Sequence, residues 1–143
     1  MRGVGLRKLT VEEIKGEVQR FWNVFQAKSA EQLAEFYAPE SSVFSSVSSR
    51  LEPGRLAAAR RNREYFHPKS TLRASASMIE VVMIGDAGAV ASYNFQFHAN
   101  RSAALGKTEE EDIKNGRATQ VFMLDVDDKL RIVHEHLSSL DKP

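Results

Sequence analysis

His134 and His136 stand two residues apart in Leu130-Arg-Ile-Val-His-Glu-His-Leu-Ser138, a stretch with the short period of a strand. On a strand, residues i and i+2 project from one face about 7 Å apart, close enough to hold one ligand or ion between them. Imidazole titrates near neutrality, so either ring can also serve as a general base. Three uses fit the pair: hydrogen-bonded histidines of a core or interface, ligand contacts or acid–base groups, and two legs of a metal site. A metal site usually takes a third ligand, and none stands at a fitting spacing, so no metal and no cofactor are expected. Tyr93 and Gln120 offer a hydroxyl and an amide that can hold a developing oxyanion.

The carboxylates are less promising. Asp86, Asp127 and Asp128 fall in turns, and Asp125 alternates with Val121 and Met123, away from Gln120. Glu135 alternates with the two histidines and so points opposite to them, and Glu80 lies mid-strand in an apolar run. No inward carboxylate is expected. Between Arg50 and Arg73 there are seven Lys or Arg against two Glu, and Arg60, Arg61 and Arg63 are read as a solvated helix face. Aromatic residues interleave poorly with these cations, so a base-stacking platform is not expected. The acidic run Glu109 to Asp112 reads as a solvated loop without the spacing of a calcium-binding loop. Dinucleotide, Walker and nucleophile-elbow motifs are absent.

These side chains need elements to position them. Thr10-Val-Glu-Glu13 is a capping box, and a helix over about 11–27 follows, with Ile14, Val18, Phe21, Trp22 and Phe25 in one stripe. Ser29 caps a second helix, about 30–38, that buries Leu33, Phe36 and Tyr37 and stops at Pro39. A short strand is expected over 41–48. After Pro53-Gly54 comes a third helix, about 55–66, carrying Leu56, Ala59, Tyr65 and Phe66. From Thr71 the period becomes two, giving strands near 71–84, 88–101, 116–126 and 130–139, with tight turns at Gly85 to Gly88 and Asp127-Asp128. Residues 102–115 read as a polar link. Residues 1–9 read as a lead and 10–143 as one domain.

Helices gathered ahead of a strand meander argue for an α+β layer fold. At 143 residues the chain buries enough surface to fold without a staple. With no cysteine it has no disulfide, thiolate metal site or cysteine nucleophile. The net charge of +1 points to no polyanionic partner, so nucleic acid is not expected. No apolar run approaches the ~20 residues of a membrane span, and residues 1–8 lack the apolar core of a secretory signal. A cytoplasmic protein is expected.

The element order and the last strand pair resemble the nuclear transport factor 2-like superfamily, also called SnoaL-like. The residues that carry this are Gly116-Arg-Ala-Thr-Gln-Val-Phe122 and Val133-His-Glu-His-Leu-Ser138. The association domain of calcium/calmodulin-dependent protein kinase II and its small bacterial relatives show a Thr-Arg-Val-Trp strand, a turn, then Trp-x-x-Val-His-x-His-x-Ser. Here Thr119-Gln-Val-Phe122 and Leu130 to Ser138 stand at the matching spacing, with Gln120 in place of the Arg and Leu130 in place of the Trp.

The resemblance implies a curved antiparallel sheet wrapped around the N-terminal helices, with a pocket at its open end. Trp22, Phe44, Tyr93, Phe95, Gln120, Phe122, His134 and His136 would line it and take a small apolar or amphipathic ligand. It also implies a homodimer through the sheet's outer face, where Val121, Met123, Val133 and Leu137 are expected. Two other uses stay open. One is an enzyme of the isomerase, polyketide cyclase or dehydratase type, ketosteroid isomerase-like, in which His134 or His136 moves a proton. The other is an assembly module without chemistry.

Overall fold

The computed structural model describes residues 7–45, 50–66, 68–100 and 111–140, without the side chains of 111–113. The first helix, α1 (Val11–Gln26), is capped by Thr10, whose hydroxyl accepts from the Glu13 amide at 3.1 Å. Its expected stripe is buried, and Val24 joins it. Helix α2 (Ala30–Glu35) is capped by Ser29 and ends earlier than expected. Tyr37 therefore opens strand β1 (Tyr37–Phe44) instead of closing a helix. Ser46 to Ser48 of the expected strand lie outside the described residues.

A two-residue strand, β2 (Glu52–Pro53), leads into α3 (Gly54–Tyr65). The buried face of α3 is Gly54, Ala57, Ala58 and Arg61, not the expected Leu56 and Ala59; Leu56 is exposed. A side chain at 54 would collide with the Tyr37 ring and Ser41, so α3 packs against β1 through its smallest residues.

The meander follows as read: β3 (Thr71–Ile84), β4 (Gly88–Asn100), β5 (Glu111–Leu124) and β6 (Leu130–Ser139). Strand β5 starts at 111, so 111–115 belong to the sheet and not to the expected link, whose 102–110 lie outside the described residues. Turns at Gly85 and Asp128 have φ of 61° and 60°. Asp125 braces the second turn by accepting the amides of Asp127 and Lys129 at 2.8 and 3.0 Å. The Lys129 amide foremost holds the Asp125 carboxyl below the usual range, desolvation opposes it, and the Asp127 amide and Arg131 assist.

The six strands run β2-β1-β6-β5-β4-β3 in one mixed sheet. The expected all-antiparallel order fails at one place: β1 lies parallel to β6, because the chain crosses through α3 and the meander between them. The inner face carries Ala89, Ala91, Tyr93, Phe95, Phe97 and Ala99 from β4 and Ala118, Gln120 and Phe122 from β5, all buried. Leu9 is buried too, and its amide donates to Asp86 O at 2.9 Å. Among the described residues, no helix is long and apolar enough to cross a membrane.

Candidate functional site

One residue decides which side chains of β6 face inward. Val121 pairs with His134 and its neighbour Phe122 pairs with Ile132, so Val133 is an extra residue, a β-bulge. Upstream, Ile132 is buried as alternation predicts. Downstream the alternation is inverted: Glu135 is wholly buried and His136 is exposed. The expected inward positions of His134 and His136 are therefore corrected to the outer face. Phe44 is corrected with them, because β1 turns Val43 to the core. Phe44 sits beside both imidazoles, with ring centroids 6.1 and 5.7 Å away, and the Ser42 hydroxyl is 2.9 Å from His134 Nδ1. Leu137 moves the other way, from the expected outer face to the wall of the cavity.

The inverted alternation places Glu135 at the end of a buried polar chain. Trp22 Nε1 donates to the Tyr93 hydroxyl at 3.0 Å, which donates to Gln120 Oε1 at 2.7 Å. Gln120 Nε2 donates to Glu135 Oε2 at 2.6 Å. Tyr37 reaches both Glu135 oxygens at 2.9 and 3.0 Å. Arg61 donates to the Tyr37 hydroxyl at 2.5 Å and pairs with Glu135 Oε1 at 2.8 Å. Every contact to the carboxyl oxygens comes from a donor. A buried polar network is stabilising only when complete, and each of these groups has its partner.

Trp22, Tyr93 and Gln120 were legible as inward residues. Tyr37, Arg61 and Glu135 were not. Tyr37 is hidden because the expected helix runs three residues too far, and Glu135 is hidden by the bulge. Arg61 had a usable signal: Gly54, Ala57 and Ala58 recur at helical spacing, and Arg61 is the next residue on that face.

Burial pushes the Tyr37 phenol well above its usual 10.0, with Arg61 opposing and Glu135 reinforcing. Tyr93 is raised likewise, by burial first and by the Glu135 charge second. Burial works to lower the Arg61 value, and the Tyr37 and Glu135 oxygens outweigh it, so the guanidinium is held charged. An unfolded chain releases its phenol protons near pH 10.0 while the folded chain keeps these two. Above that pH the unfolded state binds fewer protons, so stability falls as pH rises. Urea midpoints should drop progressively above pH 10, and Tyr37→Phe should flatten the drop.

Beside this network lies a cavity of about 100 Å³. Its walls are Phe21, Trp22, Phe25, Tyr65, Phe95, Phe97 and Leu137, and Arg61 closes its polar side. Trp22 and Phe95 stack at 4.9 Å and 16°, and Phe97 continues the stack at 6.4 Å and 8°. Gly116 permits this stack, since a side chain there would run into the Phe95 ring. Ser45, Arg60, Glu64 and Lys114 stand around the mouth. Arg60 is held there by Glu52 at 2.5 Å and by Ser45 at 3.1 Å. Phe122 is buried in the core and does not reach the cavity. Among the described residues, no three His, Asp or Glu cluster as a metal site would need.

No family model and no curated protein matches this sequence. Solved structures do match it in shape. A protein from Xanthomonas campestris assigned as a calcium/calmodulin-dependent protein kinase II association domain superposes with a TM-score of 0.75 at 15% identity, covering 96% of both chains. The hub homology domain of that kinase from Chlamydomonas reinhardtii gives 0.69 at 19% identity, covering 91% of this chain and 97% of the other. A nuclear transport factor 2-like superfamily protein from Salmonella enterica gives 0.67 at 21% identity, covering 93% and 95%. The architecture expected from sequence is thus the one found.

Proposed function

We propose that this chain, which has the nuclear transport factor 2-like fold, binds a compact amphipathic small molecule between the Trp22–Phe95–Phe97 stack and Arg61. The observation that carries this reading is an aromatic cavity with a buried guanidinium on one side. That is the composition of a small-molecule site: mostly apolar walls with a few placed polar groups. At about 100 Å³ the cavity is smaller than the roughly 150 Å³ that encloses benzene, so a single ring is the upper limit of ligand size. Binding is favoured over proton transfer. The buried carboxylate, Glu135, has both oxygens engaged by protein donors, and both histidines lie on the far face of the sheet.

Trp22 is the chain's single tryptophan and lines the cavity, so its fluorescence reports occupancy. Titration with benzoate should quench it saturably. Leu137→Phe, which fills the cavity, should weaken binding about tenfold or more, a difference of about 1.4 kcal/mol. His134→Ala and His136→Ala should leave it unchanged. Quenching that survives Leu137→Phe would place the ligand elsewhere.

A second reading, assembly, has its own observation. Phe44, Val82, Ile84 and Met123 leave 40, 66, 55 and 46% of their surface exposed. Such exposed apolar side chains on one sheet face suit a protein partner, and two structural neighbours are association or hub domains. We therefore place a second copy of this chain on that face.

A further inference from the structure

Across the outer face of the sheet runs a row whose chemistry complements itself when reversed. Glu80, Ser92, Thr119 and His136 are direct cross-strand partners on β3, β4, β5 and β6. An acid stands at one end, a base at the other, and two hydroxyls between them. Glu80, Ser92 and His136 are exposed and Thr119 half-buried. The adjacent row contributes Val82, Val90 and Val121 on β3, β4 and β5, so apolar surface flanks the polar row.

Strands lie about 4.8 Å apart, which puts Glu80 and His136 of one chain roughly 14 Å from each other. That is too far to pair within the molecule. It is the arrangement a two-fold partner can satisfy, because an isologous interface meets its own patch reversed.

We propose that the second copy docks about a two-fold axis running along the strands, between β4 and β5, so that Glu80 of each copy meets His136 of the other. The inference rests on the outer-face reading above and adds its register. An axis along the strands exchanges β3 for β6, which brings acid to base and Ser92 to Thr119. An axis across the strands keeps β3 over β3 and β6 over β6, which brings like to like. Charge complementarity therefore selects the first.

The chain has no cysteine, so engineered thiols react cleanly. Packed sheets lie about 10 Å apart, which exceeds the reach of a disulfide and suits a short bismaleimide. Glu80→Cys and His136→Cys proteins, mixed in equal amounts, should give a covalent dimer, and neither protein alone should. Under the proposed axis, identical positions of the two copies are roughly 17 Å apart.

Val121→Asp should raise the dimer dissociation constant at least about tenfold by sedimentation. Met123→Asp, at a more exposed site, should do the same if Val121→Asp disturbs folding. A monomeric parent, or a particle mass indifferent to both aspartates, would overturn the outer-face reading and the register with it. Dissociation by an aspartate without cross-linking of the mixture would overturn the register alone. Cross-linking of either single variant by itself would set the axis across the strands.

Discussion

Replacing Arg61 by methionine should cost about 3–5 kcal/mol of folding stability, the range for removing one partner of a buried ion pair. The substitution leaves Glu135 wholly buried with Tyr37 and Gln120 but no cation. Glu135→Leu should cost a similar amount for the complementary reason, since it leaves a charged guanidinium beside Tyr37 with no carboxylate. Arg61→Met/Glu135→Leu should be more stable than either single variant, because replacing both ions removes both desolvation penalties. Urea unfolding of the four proteins gives the coupling energy directly. Single costs below about 1 kcal/mol are those of an exposed pair, and that outcome would mean water reaches Arg61 from the cavity and screens it.

The same variants separate stability from binding. Arg61 both holds Glu135 and lines the cavity, so Arg61→Met should lose benzoate quenching as well as stability. Glu135 does not line the cavity. Glu135→Leu, measured where it remains folded, should therefore retain quenching.

The contrast between Trp22 and Arg61 explains what the sequence made legible. Trp22 belongs to a strong apolar stripe behind a capping box, and both signals are local, so α1 and its inner face were readable. The aromatic alternation of β4 was readable for the same reason, and the structure keeps it over Ala89 to Ala99. Arg61 lies on a helix whose contacting face is built from Gly54, Ala57 and Ala58. Such residues carry little hydrophobic signal, although their smallness is what lets α3 approach Tyr37. A charged residue on that face looks solvated until the partner that buries it is known. That partner, Glu135, comes from the far end of the chain, and its direction depends on pairing. Strand propensity and period placed β6 within its true bounds. They could not place a bulge, which is a property of two strands and not of one.

The bulge leads to the second large effect. Deleting Val133 removes the extra residue and sets His134 directly after Ile132, opposite the neighbouring residues Val121 and Phe122. Plain alternation then keeps Ile132 and Glu135 inward and His134 and His136 outward, so this deletion should fold and should cost roughly the 0.5–3 kcal/mol of an ordinary point change. Deleting Val121 from β5 should be far more damaging, because β5 pairs with β4 without a bulge that could absorb the loss. If Phe122 stays inward, alternation turns Gln120 out and Glu135 loses its amide donor. If Gln120 stays inward, Phe122 turns outward from a wholly buried site, at about 3–5 kcal/mol. Circular dichroism and urea unfolding of the two deletion proteins test the idea. A Val133 deletion as damaging as the Val121 deletion would mean that the bulge geometry itself, and not the parity it sets, holds Glu135 beside Arg61.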